Sequence, residues 1–165
     1  MITGFSHVSI AVPDLEAAAR QLAETFGLTV GPTLENAEQG VRLAYAQCGA
    51  ARIELIAPLR PDSPIAKFLE RNPRGGIHHF ALGVDDLDAV RRNLAGKGVR
   101  TLGGGQTQRN AGGDKIAFLH PADFLGALVE LEEQPGEDRG LGSRDRVTEV
   151  ARSNAPSQTG GGPNS

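Results

Sequence analysis

The chain has 165 residues, 39% of them hydrophobic, a formal net charge of −3 and a pI near 5.8, which suits one compact domain or two small modules sharing a core and, with no basic surplus, argues against a nucleic-acid partner. No apolar run approaches the ~18 residues of a membrane span, and the N-terminus MITGFSHVSIAVPDLEA lacks the basic flank of a secretory signal. The single cysteine, Cys48, cannot close an intrachain disulfide, so the expectation is a soluble cytoplasmic protein in which Cys48 is a small buried hydrophobe.

In chain order, the first element is a strand, HVSIAV, that runs into Asp14. An Asp there can cap a helix. Leu15, Ala18, Ala19, Leu22 and Phe26 then fall on one helical face, and Gly27 ends the helix. About three strands follow, the last being RIELIAP. The segment LRPDSPIAKFLERNP reads as a short helix and a linker. The pattern then restarts. HFALGV leads to Asp86, Leu87, Val90 and Leu94 share a face, and Gly96-Lys97-Gly98 closes the helix. Further strands end in LVELEE.

This is a repeat. Residues 7–23 and 79–95 align without a gap at an offset of 72, with identities at His7/His79, Val12/Val84, Asp14/Asp86, Leu15/Leu87, Ala17/Ala89, Arg20/Arg92, Leu22/Leu94 and Ala23/Ala95. The match continues as Leu43-Ala-Tyr45 with Ile116-Ala-Phe118, and as residues 51–56 with 127–132. The predicted fold class is α+β: two βαβββ modules, about 4–60 and 75–133, related by a pseudo-twofold axis, forming one domain over 4–133 with a cleft between its curved halves. Residues 134–165 are rich in Gly, Pro, Ser and charge and have no aromatic residue. They are predicted to be a disordered tail.

Within the repeat, His7 and His79 occupy equivalent places on apolar strands. Glu54 and Glu130 sit in the middle of apolar terminal strands, where an unpaired carboxylate is costly to bury. A twofold axis would bring all four together, and two imidazoles with two carboxylates form a metal-ligand set. His78 should face away from His79 and serve packing or support. His120, in FLHPADF, reads as a loop or cleft-rim residue. Gly103-Gly104-Gly105 lacks the spacing of a nucleotide-binding fingerprint and reads as a loop.

The phrases HVSIAVPDLEAA, EQGVRLAY, IELIAPL, DSPIAKFLE, GGIHHFALGVDDLDA, IAFLHP and LVELEE run in an order that resembles the vicinal oxygen chelate superfamily and, within it, the methylmalonyl-CoA epimerase family. The resemblance implies one divalent metal (Co, Mn, Ni, Fe or Zn) held by His7, Glu54, His79 and Glu130, an acyl-CoA substrate, and a homodimer. It implies epimerisation through α-proton removal, with Glu130 as one base. Some members carry a second glutamate at the position of Leu43, and Ala122 stands where a lysine is frequent. With Leu43 unable to act, Glu54 is the expected base on the other face, with Glu38 or a water as alternatives. Lys67, Arg71 and Arg74 either meet CoA phosphates or form a solvated helix end. A glyoxalase I-like lactoylglutathione lyase and a non-catalytic binding protein are the alternative functions.

Overall fold

The structure is a computed structural model, and it describes residues 1–134. The predicted disordered tail lies, but for its first residue, outside the described residues. The elements are β1 (Ile2–Ala11), α1 (Leu15–Phe26), β2 (Leu34–Asn36), β3 (Val41–Cys48), β4 (Ala51–Pro58), α2 (Pro64–Arg71), β5 (Gly76–Val84), α3 (Leu87–Gly96), β6 (Gln108–Arg109), β7 (Lys115–Leu119) and β8 (Val129–Glu133). All eight strands form one sheet in the order β2-β3-β4-β1-β5-β8-β7-β6. Read from either end, the sheet follows the same path. β1 pairs in parallel with β4, and β5 does so with β8, while the antiparallel β1–β5 pair joins the halves.

The pseudo-twofold axis can be located from the register. Val8 lies opposite Phe80, His7 opposite Ala81 and Ser9 opposite His79. At the repeat offset of 72, Val8 and Phe80 are mates, as are His7 and His79, and Ser9 and Ala81. The axis therefore passes between Val8 and Phe80, and the two histidines flank it diagonally on one face of the sheet.

The other face is covered by helices. Asp14 caps α1 by accepting from Ala17 N, and Asp86 caps α3 by accepting from Ala89 N, both at 2.8 Å. Each cap contributes about 1 kcal/mol. Val12, Leu15, Ala44 and Leu55 pack beneath α1 with Ala18, Ala19 and Leu22. Their mates Val84, Leu87, Ala117 and Leu131 pack beneath α3 with Val90 and Leu94. Burying each Leu from these sets removes roughly 1.5–3 kcal/mol worth of apolar surface from water. IELIAP is apolar on both sides for a structural reason. Leu55 lies in the helix-side cluster and Ile56 in the opposite one, with Val41, Leu43 and Ile65.

Two expectations fail. Phe26 is 70% exposed, because α1 ends there and Gly27 turns the chain away at φ 67°. Cys48 is exposed, because it closes β3 at the hairpin with β4. No helix among the described residues is long and apolar enough to cross a membrane.

Gly75 makes the turn into the second module. It has φ 82°, and a Cβ there would stand 2.4 Å from the Ala11 carbonyl oxygen, so only glycine fits.

Candidate metal and proton-transfer site

Two rows of same-face side chains cross the centre of the sheet. Cross-strand register gives Tyr45, Glu54, Ser9 and His79 in one row, and Phe118, Glu130, Ala81 and His7 in the other. Each residue in the first row is the repeat mate of its counterpart in the second. The small side chains Ser9 and Ala81 leave the middle open, so imidazoles and carboxylates approach one another over them.

The four predicted site residues come together. His7 Nε2 is 3.7 Å from Glu54 Oε2 and 3.7 Å from Glu130 Oε2. His79 Nε2 is 3.8 Å from Glu54 Oε2 and 2.9 Å from Glu130 Oε2. All four residues are at least nine-tenths buried. Ligand atoms of His7, Glu54 and His79 lie within 4.8 Å of one another. Both Nε2 atoms are buried without a hydrogen-bond partner, the short His79–Glu130 contact lying outside hydrogen-bond geometry.

The other nitrogen of each ring is engaged, in both modules by the preceding residue. Ser6 Oγ is 3.2 Å from His7 Nδ1, and His78 Nδ1 is 2.9 Å from His79 Nδ1. Ser6 and His78 are themselves repeat mates. Ser6 gives its hydroxyl proton to Glu132 Oε2, which makes its oxygen the acceptor for a proton on His7 Nδ1. His78 is held neutral, with its pKa lowered to about 4 by burial and by the adjacent His79, and can accept from His79 Nδ1 in the same way. Both rings then present an Nε2 lone pair to the centre.

These donors fit a divalent cation. Two orphaned buried lone pairs and two carboxylates form a mixed N/O set whose charge a dication neutralises. The pocket also favours positive charge in its own right. Burial pushes the His7 pKa down, but the nearby Glu130, Glu54 and Glu132 carboxylates outweigh burial and raise it. Burial pushes Glu130 up, and the His7 and His79 rings overcome this and hold it at about 2.

Glu54, His79 and Glu130 line a cavity of about 450 Å³, whose lining also includes Glu38, Gln39, Leu43, Tyr45, Ile65, Arg60, His78, Leu102, Gln108, Asn110 and Phe118. Leu43 is a buried apolar wall residue and offers no base. His78 packs edge-on against Phe68, as expected of a packing or supporting residue, but its ring also lines the cavity rather than turning away. His120 is a loop residue that accepts from Ala122 N, and it is not part of the cavity lining. Lys67, Arg71 and Arg74 are also outside the lining, where the arginine is Arg60.

The sequence reading missed a buried layer on one side. Glu132 accepts from Ser6, from Asn110 Nδ2 at 2.7 Å and from Arg52, whose Nη2 lies 3.4 Å away. The Arg52 guanidinium sits 4.8 Å from the centre of the Tyr45 ring, and the Tyr45 hydroxyl donates to Glu54 Oε1 at 2.8 Å. One signal was available: Glu132 is two residues beyond Glu130 and so shares its face.

A curved βαβββ duplication with His and Glu at matching strand positions defines the class. Residues 6–118 match the family model described as Glyoxalase/Bleomycin resistance protein/Dioxygenase superfamily, and the chain belongs to that superfamily. Within it, the chain is 48% identical over 133 residues to the ethylmalonyl-CoA/methylmalonyl-CoA epimerase of Cereibacter sphaeroides, covering 81% of this chain and 99% of the relative. Its structure is similar to methylmalonyl-CoA epimerase from Mycobacterium tuberculosis, with TM-score 0.76 and 39% identity over 82% of this chain and 89% of that one. It is also similar to a methylmalonyl-CoA epimerase in complex with methylmalonyl-CoA and ammonium, with TM-score 0.74 and 38% identity over 81% of this chain and 95% of that one.

Proposed function

We infer that the chain interconverts the (R) and (S) forms of methylmalonyl-CoA, as an isomerase acting on an acyl-CoA thioester. The observation that carries this is the convergence of two orphaned imidazole nitrogens and two carboxylates, three of the four residues lining a cavity of about 450 Å³. The similarity to epimerases of this substrate class supports it. No comparable observation favours the lyase or the binding protein.

The stereocentre bears a hydrogen between a thioester and a carboxylate. Its removal places negative charge on the thioester oxygen. His7, Glu54, His79 and Glu130 would hold one divalent metal ion, which when bound supplies positive charge to that oxygen. The protein's own groups do the proton work. Glu130, as the carboxylate, takes the proton from one face of the α-carbon. Glu54, across the pseudo-twofold axis and entering the step as the carboxylic acid, gives its own proton to the other face, so that the step leaves Glu130 protonated and Glu54 ionised. The Ser6 and His78 contacts keep the imidazole Nδ1 protons in place, so the Nε2 atoms stay available throughout. Apolar wall residues Leu43, Ile65 and Phe118 limit water around the reacting carbon. Gln39, Arg60 and Gln108 offer donors to the polar ends of the substrate.

A homodimer fits the exposed Ile2 and Phe5 side chains at the start of β1, apolar surface that a second copy would cover. A cytoplasmic location fits a CoA thioester substrate and an exposed thiol at Cys48.

The test is solvent exchange. Methylmalonyl-CoA is incubated with metal-loaded protein in deuterated water, with and without chelator, and deuterium at the α-carbon is followed. Exchange that the chelator abolishes is expected, and an absence of exchange with the metal bound contradicts the reading. Glu54→Gln is expected to lose epimerisation while Glu38→Gln retains it. A Glu54→Gln protein with its metal and its full rate removes Glu54 from proton transfer.

A further inference from the structure

The two halves of the site differ in one hydroxyl. Tyr45 and Phe118 are repeat mates. Tyr45 lies opposite Glu54, and Phe118 lies opposite Glu130. Each ring meets the histidine of its own module edge-on, at 5.9 Å for Tyr45 with His7 and 5.3 Å for Phe118 with His79. Only Tyr45 has a proton to give, and it gives it to Glu54 Oε1 at 2.8 Å. The other oxygen of that carboxylate, Oε2, is the one that faces both imidazoles. Phe118 cannot restrain Glu130 in this way.

We propose that Tyr45 is a positioning residue that divides the Glu54 carboxylate between two tasks, holding Oε1 out in the cavity while Oε2 alone faces the cation. This rests on the reading of the site as a metal-assisted epimerase. A carboxylate without such a partner can turn so that both oxygens meet a cation. The Tyr45 hydrogen bond opposes that rotation. It occupies one lone pair of Oε1 and leaves the other for a proton from the cavity side. The ring is itself braced, with the Arg52 guanidinium over one face.

The mates therefore work unequally. Glu130 has both oxygens unrestrained by its own module's aromatic ring, whereas Glu54 is fixed in its rotamer. That gives the module-one carboxylate a defined place from which to act, on the side of the cavity where Leu43 supplies no base.

The test is Tyr45→Phe, which restores the chemical symmetry with Phe118 and keeps the ring. Three measurements are made on the full chain: thermal melting, visible absorption of the Co²⁺-loaded protein without substrate, and kcat and KM for epimerisation. The expected result is an unchanged melting curve and retained Co²⁺. The d–d absorption band should lose intensity and shift as the second Glu54 oxygen joins the coordination shell. kcat should fall about tenfold with KM within about twofold, as for loss of orientation alone. A superposable spectrum overturns the proposal, as does unchanged kcat or a variant that loses its metal or melts early. If the wild-type protein catalyses no exchange at all, the epimerase reading fails on its own, and the two spectra then decide the role of Tyr45 alone.

Discussion

Module one and module two have the same backbone path and the same helix-side core, but they differ in the layer behind the site. Val12, Leu15 and Leu55 are matched by Val84, Leu87 and Leu131, and His7 and Glu54 by His79 and Glu130. Behind these, the mates diverge. Arg52 answers to Leu128, Tyr45 to Phe118, and Ile56 to Glu132. The charged partners therefore form one lopsided network, with Arg52 from module one meeting Glu132 from module two. Symmetry brings the two His–Glu pairs together, and its breaking gives otherwise equivalent side chains different neighbours.

The shared part is broken by removing one of the proposed ligands. His7→Ala and His79→Ala, being mates, should fail alike. Each should lower metal affinity and reduce epimerisation on the order of 100-fold or more, measured by metal titration and by turnover. A large loss for one and a small loss for the other would show that the axis does not relate their roles.

The lopsided part is broken next. Glu132→Leu leaves Arg52 facing a buried site without its carboxylate, and it removes the acceptor of Ser6 and Asn110. Breaking a buried pair costs about 3 kcal/mol, read as a lower urea midpoint. Ile56→Leu at the mate position should cost less than about 1.5 kcal/mol.

The junction between modules depends on Gly75, which has no counterpart glycine at Thr3, 72 residues earlier. Gly75→Ala forces a non-glycine residue into positive φ against the Ala11 carbonyl. It should lower stability by about 1–3 kcal/mol, measured by denaturant unfolding.

The smallest effect comes from a connection only module two has. β3 and β4 are joined by a tight hairpin at Gly49-Ala50, whereas the chain between β7 and β8 carries a longer loop braced by Asp123. Asp123 accepts from Arg100 N, Nε and Nη2. These bonds hold its carboxyl well below the usual carboxylate range. A depressed acid adds stability that is present above its unfolded pKa, about 3.9, and is lost as pH falls through the folded value. Wild type and Arg100→Ala should therefore differ slightly at neutral pH and converge in strong acid, read from melting curves across pH.

Much of this was legible because duplication writes the same constraint twice. A strand histidine or glutamate alone is ambiguous, but His7 with His79 and Glu54 with Glu130 pointed to one place, and the register puts them there. The Asp14 and Asp86 caps were legible for the same reason. What breaks the repeat was not. Nothing in the repeat singles out Arg52 or Glu132, whose mates are Leu128 and Ile56, and only their meeting across the sheet shows the pair. Tyr45 read as an apolar match to Phe118, since its hydroxyl matters only once Glu54 is beside it. Cys48 was placed inside on residue type and Phe26 by helical spacing, but both sit where an element ends and the chain leaves the core.

The most direct measurement is an anomalous difference map from crystals of protein purified with its divalent metal, collected at that metal's absorption edge. The account predicts a single peak bounded by His7 Nε2, His79 Nε2, Glu54 Oε2 and a Glu130 carboxylate oxygen, with Glu54 Oε1 still bonded to Tyr45. Metal-loaded protein with its peak elsewhere, or with either imidazole Nε2 turned away from it, would contradict the account.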